Sequence, residues 1–190
     1  MTAWIKTIEL CDATGALEEM YERAKTPHGT VDNVMKAHSL RPHTMHGHIE
    51  LYKSVLHHPD NTLPGWFLEV VASYTSIRND CAYSLTHHFA NARRLLGDDD
   101  RADAILDALR ASAPERVFKG KELELLRYAA KLTSRVGQME QGDVERLRES
   151  GCSDGEILEV NQVVAYFNYS NRLLNGLGVT TDGDEIGFYD

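Results

Sequence analysis

Apolar residues recur at helical spacing along most of the chain. Residues 15–26 place Leu17, Met20, Tyr21 and Ala24 on one stripe, which is the spacing of an amphipathic helix. The same period predicts further helices, long or short, in these segments: 31–39, 43–58, 66–79, 81–97, 98–112, 121–137, 143–150 and 157–178. The few β-branched pairs lie inside segments of helical period, so no strand is predicted. The pattern therefore predicts an all-α fold.

Three local signals mark where these helices begin and end. Pro42 stands at the first position of its helix, where a missing N–H is tolerated. Gly97 follows the last apolar position of residues 81–97, as a C-terminal glycine does. Ser153 and Glu156 have the spacing of a capping box ahead of the last long helix. No linker of disordered composition separates these helices, so one domain over residues 1–190 is predicted.

Two helices carry more apolar surface than a chain of this length is expected to cover. The stripes on 66–78 and 157–174 therefore predict a homo-oligomer. The tail, residues 180–190, is acidic. It is predicted to be loose unless Ile186 and Phe188 dock on a neighbour.

Composition and charge limit the classes of function. The 190 residues are 42% hydrophobic and 26% charged, which is typical of a globular chain. Asp and Glu number 29 against 20 Lys and Arg, for a formal net charge of −9, whereas nucleic acid requires a basic face. No apolar stretch approaches the roughly 18–20 residues of a membrane span, and the N-terminus does not have the pattern of a secretory signal. Neither nucleic acid nor membrane is an expected partner.

The cysteines indicate the compartment. Cys11, Cys81 and Cys152 lie far apart and are odd in number. This argues against a disulfide framework and predicts a reducing, cytoplasmic setting.

Candidate chemistry is concentrated in residues 79–88, which read NDCAYSLTHH. On a helix of about 100° per residue, Ser84 lies about 60° and His88 about 20° from Cys81, so the three share one face. His87 lies about 120° away and is expected to face elsewhere. Because two turns, about 10 Å, separate Cys81 from His88, a relay through Ser84 or water is expected rather than a direct bond.

Cys81 is predicted to lie in the first turn of its helix, after the N-cap types Asn79 and Asp80. Unsatisfied N–H groups and the positive end of the helix dipole stabilise a thiolate there. The alternative is a buried, inert thiol. The neighbouring Ser84 and histidines favour the reactive thiol, which is expected to alkylate faster than the other two cysteines.

Glu69 lies within an apolar run, WFLEVVASY, on the preceding helix. Its carboxylate either occupies an exposed stripe or is buried among Phe67, Leu68 and the valines. A buried carboxylate in this position is suited to general-base work. This run alone leaves both placements open.

The four candidates have the spacing of a known signature. Glu69, eleven residues, and then Cys81-x-x-Ser84-x-x-x-His88 resemble the E-x11-C-x-x-C-x-x-x-H pattern of AhpD-like alkylhydroperoxidases, within the carboxymuconolactone decarboxylase superfamily. The surroundings are similar to the peroxidase-related branch of that family in these features: Leu63-Pro64, Asn79, Tyr83, the pair His87-His88 and residues 153–179. The likeness covers most of residues 30–180.

The resemblance implies an all-α, AhpD-like helical bundle that assembles into trimers or hexamers. It also implies peroxide reduction by a dithiol, with Glu69 and His88 as proton-relay positions. By motif position Cys81 corresponds to the first thiol and Ser84 to the second, which attacks peroxide in the family. Ser84 cannot form a sulfenic acid or a disulfide, so a dithiol cycle within the motif is closed. Oxidised Cys81 would need another thiol, and the candidates are Cys11, Cys152, a cysteine of a neighbouring subunit and a small external thiol.

Other constellations are interpreted structurally. His43, His46 and His48 suggest a metal site, but only Glu50 offers a further ligand in that run, and surface histidines are expected. A site that joins one of them to His88 across helices stays open. No Gly-rich phosphate loop is present, so no nucleotide cofactor is predicted; no metal is predicted either.

Three functions are consistent with these residues. The first is a peroxidase-related oxidoreductase that uses Cys81, with Glu69, Ser84 and His88 as a relay. The second is acid–base chemistry on a small organic acid, carried by Glu69 and His88 without the thiol. The third is a redox-inactive oligomer that binds a ligand without turnover.

Overall fold

The computed structural model describes residues 2–187, and the regular secondary structure there is entirely helical. The α-helices of these residues are α1 (Ala16–Ala24), α2 (Asn33–Lys36), α3 (Pro42–Leu56), α4 (Gly65–Arg78), α5 (Ala82–Leu96), α6 (Asp99–Arg110), α7 (Gly120–Ser134), α8 (Gln141–Glu149) and α9 (Asp154–Leu177). Single 3-10 turns lie at Leu10–Asp12, Pro114–Arg116 and Val136–Gln138. The predicted all-α class is confirmed.

The predicted helix signals are found where the sequence placed them. Pro42 opens α3. Gly97 ends α5 in the left-handed region, at a φ of 64°. Ser153 and Glu156 form the capping box of α9, each side chain accepting from the other residue's backbone N–H. The helix predicted at 121–137 ends earlier, at Ser134, because the backbone leaves the helical region at the next residue.

Helix α4 is the centre of the bundle. Its residues from Phe67 to Ser76 are all buried, and it packs against α5, α7 and α9. The expectation that α4 leaves an apolar stripe for a neighbouring subunit is therefore wrong, since the chain itself covers this helix. On α9, Leu158 and Tyr169 remain exposed. The homo-oligomer stays a prediction.

The apolar core has two parts. The larger cluster is built around α4, α7 and α9 and includes Cys152. The smaller joins α1, α2 and the start of α3 to Cys81 and Tyr83 at the beginning of α5. Glu69, Ser84 and His88 are buried on α4 and α5, the most extensively packed pair of helices.

The segment after α9 is docked on the chain rather than loose. Asn33 donates from Nδ2 to the carbonyl oxygens of Thr180 and Asp182 at 2.8 and 3.0 Å. The expectation of a loose tail is wrong for residues 180–187, because backbone and side-chain hydrogen bonds hold them against α2 and α5. Ile186 remains exposed, and Phe188 lies outside the described residues. No helix within residues 2–187 is long and apolar enough to cross a membrane.

Candidate active site

A tight turn between α4 and α5 places Cys81. Asn79 ends α4, and Asp80 takes a left-handed backbone conformation with a φ of 51°. Cys81 is then the N-cap of α5, with its N–H donating to the carbonyl of Ser76 at 2.9 Å. The prediction that Asn79 and Asp80 cap this helix and that Cys81 lies in its first turn is wrong. Both Asn79 and Asp80 belong to the turn, so the helix begins at Ala82.

The thiol of Cys81 is buried, with 1% of the residue exposed. Burial raises the pKa of Cys81, although the backbone and hydroxyl of Ser84, the N–H of Tyr83 and the amide of Asn171 favour the thiolate. Desolvation outweighs these donors because a thiolate loses more hydration than a thiol. This direction is opposite to the stabilisation of the thiolate that a helix start is expected to give.

Ser84 belongs to a buried polar network that joins α4, α5 and α9. Asn171, wholly buried on α9, donates from Nδ2 to Ser84 Oγ at 3.0 Å and to Ser76 Oγ at 3.3 Å. Its Oδ1 accepts from Asn79 Nδ2 at 3.0 Å. The hydroxyl of Ser84 also acts to lower the pKa of the Cys81 thiol, against the larger effect of burial. Ser84 is thus held in place from α9, a contact that the motif gave no sign of.

Glu69 and His88 form a buried pair between α4 and α5. His88 Nδ1 donates to Glu69 Oε2 at 2.8 Å, and Asn91 Nδ2 donates to Glu69 Oε1 at 3.0 Å. Of the two placements left open for Glu69, the structure has the buried one, with 1% of the residue exposed. A proton on Nδ1 makes Nε2 the accepting nitrogen of neutral His88. The pair is therefore organised to take a proton at Nε2.

A small cavity adjoins these groups. Its volume is about 20 Å³, room for about one water molecule. It is lined by Val34, Met35, His48, Tyr52, Tyr83, Ser84, His87, His88, Tyr166, Ser170 and Leu174. Ser84 and His88 thus share a cavity, as their common face predicts, whereas Cys81 does not line it. His87, expected to face elsewhere, lines it too, because α2, α3, α9 and the tail enclose more than one face of α5.

Histidines and tyrosines of α3 and α9 form the remaining wall. His48 is buried, and its Nε2 lies 3.1 Å from Tyr166 Oη. Burial lowers the pKa of His48 to about 3, and His38 and His88 act in the same direction. His43 and His46 are exposed as predicted. His48 is not a surface residue, and it is the member of that run that meets His88 in one site.

A second histidine, His57, approaches the other carboxylate oxygen of Glu69. His57 Nε2 lies 3.8 Å from Glu69 Oε1 and 2.7 Å from Tyr52 Oη. Burial lowers the pKa of His57, against the opposing effect of Glu69. An open groove of about 450 Å³ between α1 and α3 shares Met35 and Tyr52 with the small cavity. His57 lines this groove as well.

The tail supplies a second carboxylate. Asp184 accepts from Tyr83 Oη at 2.5 Å and from the N–H of Asn33 at 2.9 Å. His87 Nε2 lies 3.4 Å from the Asp184 carboxylate, and both side chains are 1% exposed. Neither His87 nor Asp184 was a predicted site residue, because no local pattern links residue 184 to the motif.

Neither of the other two cysteines lines the small cavity. Cys11 is exposed near the N-terminus, and Cys152 is buried in the larger core cluster, beside Ser150. Within residues 2–187 all three cysteines are free. In the same part of the chain no group of three or more His, Cys, Asp or Glu is arranged to hold a metal ion.

Comparison with known proteins identifies the fold. The chain is similar to the AhpD core of an uncharacterized peroxidase-related protein from Ralstonia eutropha JMP134, with a TM-score of 0.83 and 21% identity over 97% of this chain and 94% of that one. It is similar to an uncharacterized peroxidase-related protein from Silicibacter sp. TM1040, with a TM-score of 0.76 and 24% identity over 94% and 92%. The debrominase Bmp8 matches with a TM-score of 0.73 and 15% identity over 96% and 92%. No family model and no curated protein matches the chain. The predicted AhpD-like helical fold is confirmed.

Proposed function

We propose that this protein is a peroxidase-related oxidoreductase in which Cys81 reduces a small peroxide. The observation that carries the proposal is the buried hydrogen bond between Glu69 of α4 and His88 of α5, because α5 also carries Ser84 and begins at Cys81. Cys81 Sγ attacks one peroxide oxygen, the O–O bond breaks, and the products are a Cys81 sulfenic acid and an alcohol or water. His88 Nε2 takes the thiol proton through Ser84 or water, and the departing oxygen takes up one proton to leave as the alcohol or water.

The catalytic cycle needs a reductant from outside the chain. Ser84 cannot resolve the sulfenic acid, Cys152 lies in the other core cluster and Cys11 is exposed near the N-terminus. Two equivalents of an external thiol would return Cys81 to the thiol, with release of water and one disulfide. A cavity of about 20 Å³ favours hydrogen peroxide over bulky organic hydroperoxides.

The fold neighbours support an oxidoreductase but leave its substrate open. Two are peroxidase-related proteins. The debrominase Bmp8 has been solved with 2,3,4-tribromopyrrole, so the fold also accommodates other chemistry.

The homo-oligomer, as trimer or hexamer, is part of the proposal; light scattering that returns the monomer mass of 21.3 kDa at micromolar concentration would contradict it.

Acid–base chemistry on a small organic acid is the second candidate. Ser84 and His88 line the cavity and Cys81 does not. Burial also raises the pKa of Cys81, which disfavours the reactive thiolate. Glu69 and His88 would then move a proton on carbon while Ser84 orients the acid. If neither chemistry occurs, a ligand-binding oligomer remains.

Replacement of the thiol separates these functions. Peroxide consumption with an external monothiol is expected to disappear in Cys81→Ser and to persist in Cys152→Ser, the matched control for a buried cysteine. Glu69→Gln should lower the rate about 10²-fold or more, the usual contribution of a general base. Full peroxide consumption by Cys81→Ser would rule out the thiol. Retained proton exchange on a carbon acid in that variant would favour the second candidate.

A further inference from the structure

The C-terminal segment brings a buried carboxylate to the candidate site. Residues 180–187 turn back from the end of α9, and Asn33 holds two of their carbonyl oxygens. This arrangement carries Asp184 inward, where 1% of its side chain is exposed. The neighbouring Asp182 is exposed. The segment thus buries the side chain of Asp184 and leaves that of Asp182 in solvent.

Three groups surround the Asp184 carboxylate. The N–H of Asn33 and the hydroxyl of Tyr83 donate to it, at 2.9 and 2.5 Å. His87 Nε2 lies 3.4 Å away. A carboxylate removed from water is costly unless it is hydrogen-bonded and paired with an opposite charge. Of its three neighbours, His87 is the one that can carry that charge.

His87 and Tyr83 face the same cavity as Ser84 and His88. The ring of Tyr83 stacks on that of His87, with centroids 4.7 Å apart, which fixes the imidazole plane. His87 and His88 are consecutive on α5, so their side chains leave the helix about 100° apart. The cavity therefore has two histidine–carboxylate pairs, His88 with Glu69 and His87 with Asp184.

We propose that Asp184 is a positioning residue that holds His87 as the acid of this site, complementary to His88 as its base. This inference rests on the proposed peroxide reduction. As Cys81 Sγ bonds to one oxygen and the O–O bond breaks, His88 takes the thiol proton and His87 gives a proton to the departing oxygen. The product is an alcohol or water, not an alkoxide or hydroxide. Solvent then returns a proton to His87 and removes one from His88.

The test combines Asp184→Asn, His87→Gln and the double variant of these two, with Asp182→Asn as the control. Asp184→Asn keeps the size of the side chain and removes its charge; Asp182→Asn makes the same change at the exposed control position. Asp184→Asn should lower kcat for hydrogen peroxide about 10²-fold with KM within about threefold, while Asp182→Asn stays within about twofold. His87→Gln should lose a similar factor, and the double variant should lose little more, because the two residues act as one unit.

A spectroscopic measurement separates this inference from the proposed function. In ¹⁵N NMR of the imidazoles, Asp184→Asn should shift the His87 resonances and leave those of His88 in place. Unchanged His87 resonances in Asp184→Asn would overturn the role of Asp184. A full rate in His87→Gln would overturn it even if Asp184→Asn does not fold. If the wild-type chain consumes no peroxide, the proposed function fails; the His87 resonances still decide whether Asp184 holds this ring.

Discussion

Asn171 Nδ2 donates to Ser84 Oγ at 3.0 Å, across the contact between α9 and α5. The two residues are 87 positions apart in the chain. Asn171 is fully enclosed and also bonds Ser76 and Asn79. The hydroxyl beside Cys81 is therefore held by a side chain from the far end of the sequence.

Asn171→Ala is expected to destabilise the fold by about 1–3 kcal/mol. The change removes the amide that donates to the buried Ser84 hydroxyl, and an unsatisfied buried group costs about that much. Urea unfolding measures the effect. Arg172→Ala, at the next and exposed position of α9, is the control and should change stability by no more than about 0.5 kcal/mol. Equal stability of the two variants would remove Asn171 from the account.

The end of α9 should tolerate alanine at one glycine and not at another. Gly178 has a φ of 59°, and a Cβ there would lie 2.1 Å from the ring of Trp4. Gly178→Ala should therefore cost about 1–3 kcal/mol. Gly176, inside α9 with nothing within 4 Å of its Cβ position, should gain about 0.5–1 kcal/mol as alanine. Thermal melts of both variants check the prediction, and a stable Gly178→Ala would mean that Trp4 does not pack there.

Acid should destabilise the protein through His48. Burial lowers the pKa of His48 to about 3, so the folded state keeps this ring neutral while the unfolded state takes up a proton below about pH 6.5. Its stabilisation is full above that pH and is lost as the pH falls towards 3. Between pH 7 and pH 5 the loss amounts to about 2 kcal/mol for this one group.

The contribution of His48 is measured by urea unfolding at the two pH values. His48→Gln should reduce the difference in unfolding free energy between them, whereas His43→Gln, exposed on the same helix, should leave it unchanged. His38 and His57, whose pKa values burial also lowers, contribute to the pH dependence of the unfolding free energy in the same direction. An identical pH dependence in wild type and His48→Gln would contradict a neutral, buried His48.

Cys81 should alkylate slowly in the native protein. It is buried and its pKa is raised by burial, whereas Cys11 is exposed. Mass-mapped labelling with iodoacetamide near pH 7.5 should modify Cys11 first, with Cys81 on the order of tenfold slower. All three cysteines should label together in urea. If Cys81 labels first in the native protein, the thiol is more accessible and more acidic than its surroundings indicate.

The sequence predicts much of the fold because the information is local. Helical spacing of apolar residues, Pro42 at a helix start and the Ser153–Glu156 capping box each act within a few residues. The pairing of Glu69 with His88 could also be predicted from the sequence, since both belong to one motif on consecutive helices. These elements agree with the structure to within a few residues at their ends.

What the sequence did not reveal depends on long-range packing. A helix N-terminus is expected to lower the pKa of Cys81, but burial raises it. Burial is a property of the whole bundle. Asn171, His48 and Asp184 reach the site from α9, α3 and the tail, with no spacing that connects them to residues 79–88. No rule of local sequence links such residues before the tertiary contacts are known.

Ser84→Cys is the sharpest test of a single-thiol mechanism, because it restores a second thiol one turn from Cys81 and leaves Glu69 and His88 unchanged. Without added thiol, wild type should complete at most about one turnover of hydrogen peroxide. With a dithiol reductant it should turn over more slowly than Ser84→Cys, because the reductant itself must resolve the buried Cys81 sulfenic acid. Ser84→Cys should form a Cys81 disulfide on oxidation and turn over with the dithiol. Stopped-flow measurement of peroxide decay compares the two proteins under identical conditions. Much faster dithiol-dependent decay in Ser84→Cys is the predicted result; wild type turning over as fast as the variant would contradict the account, because a resolving thiol would then lie outside the motif.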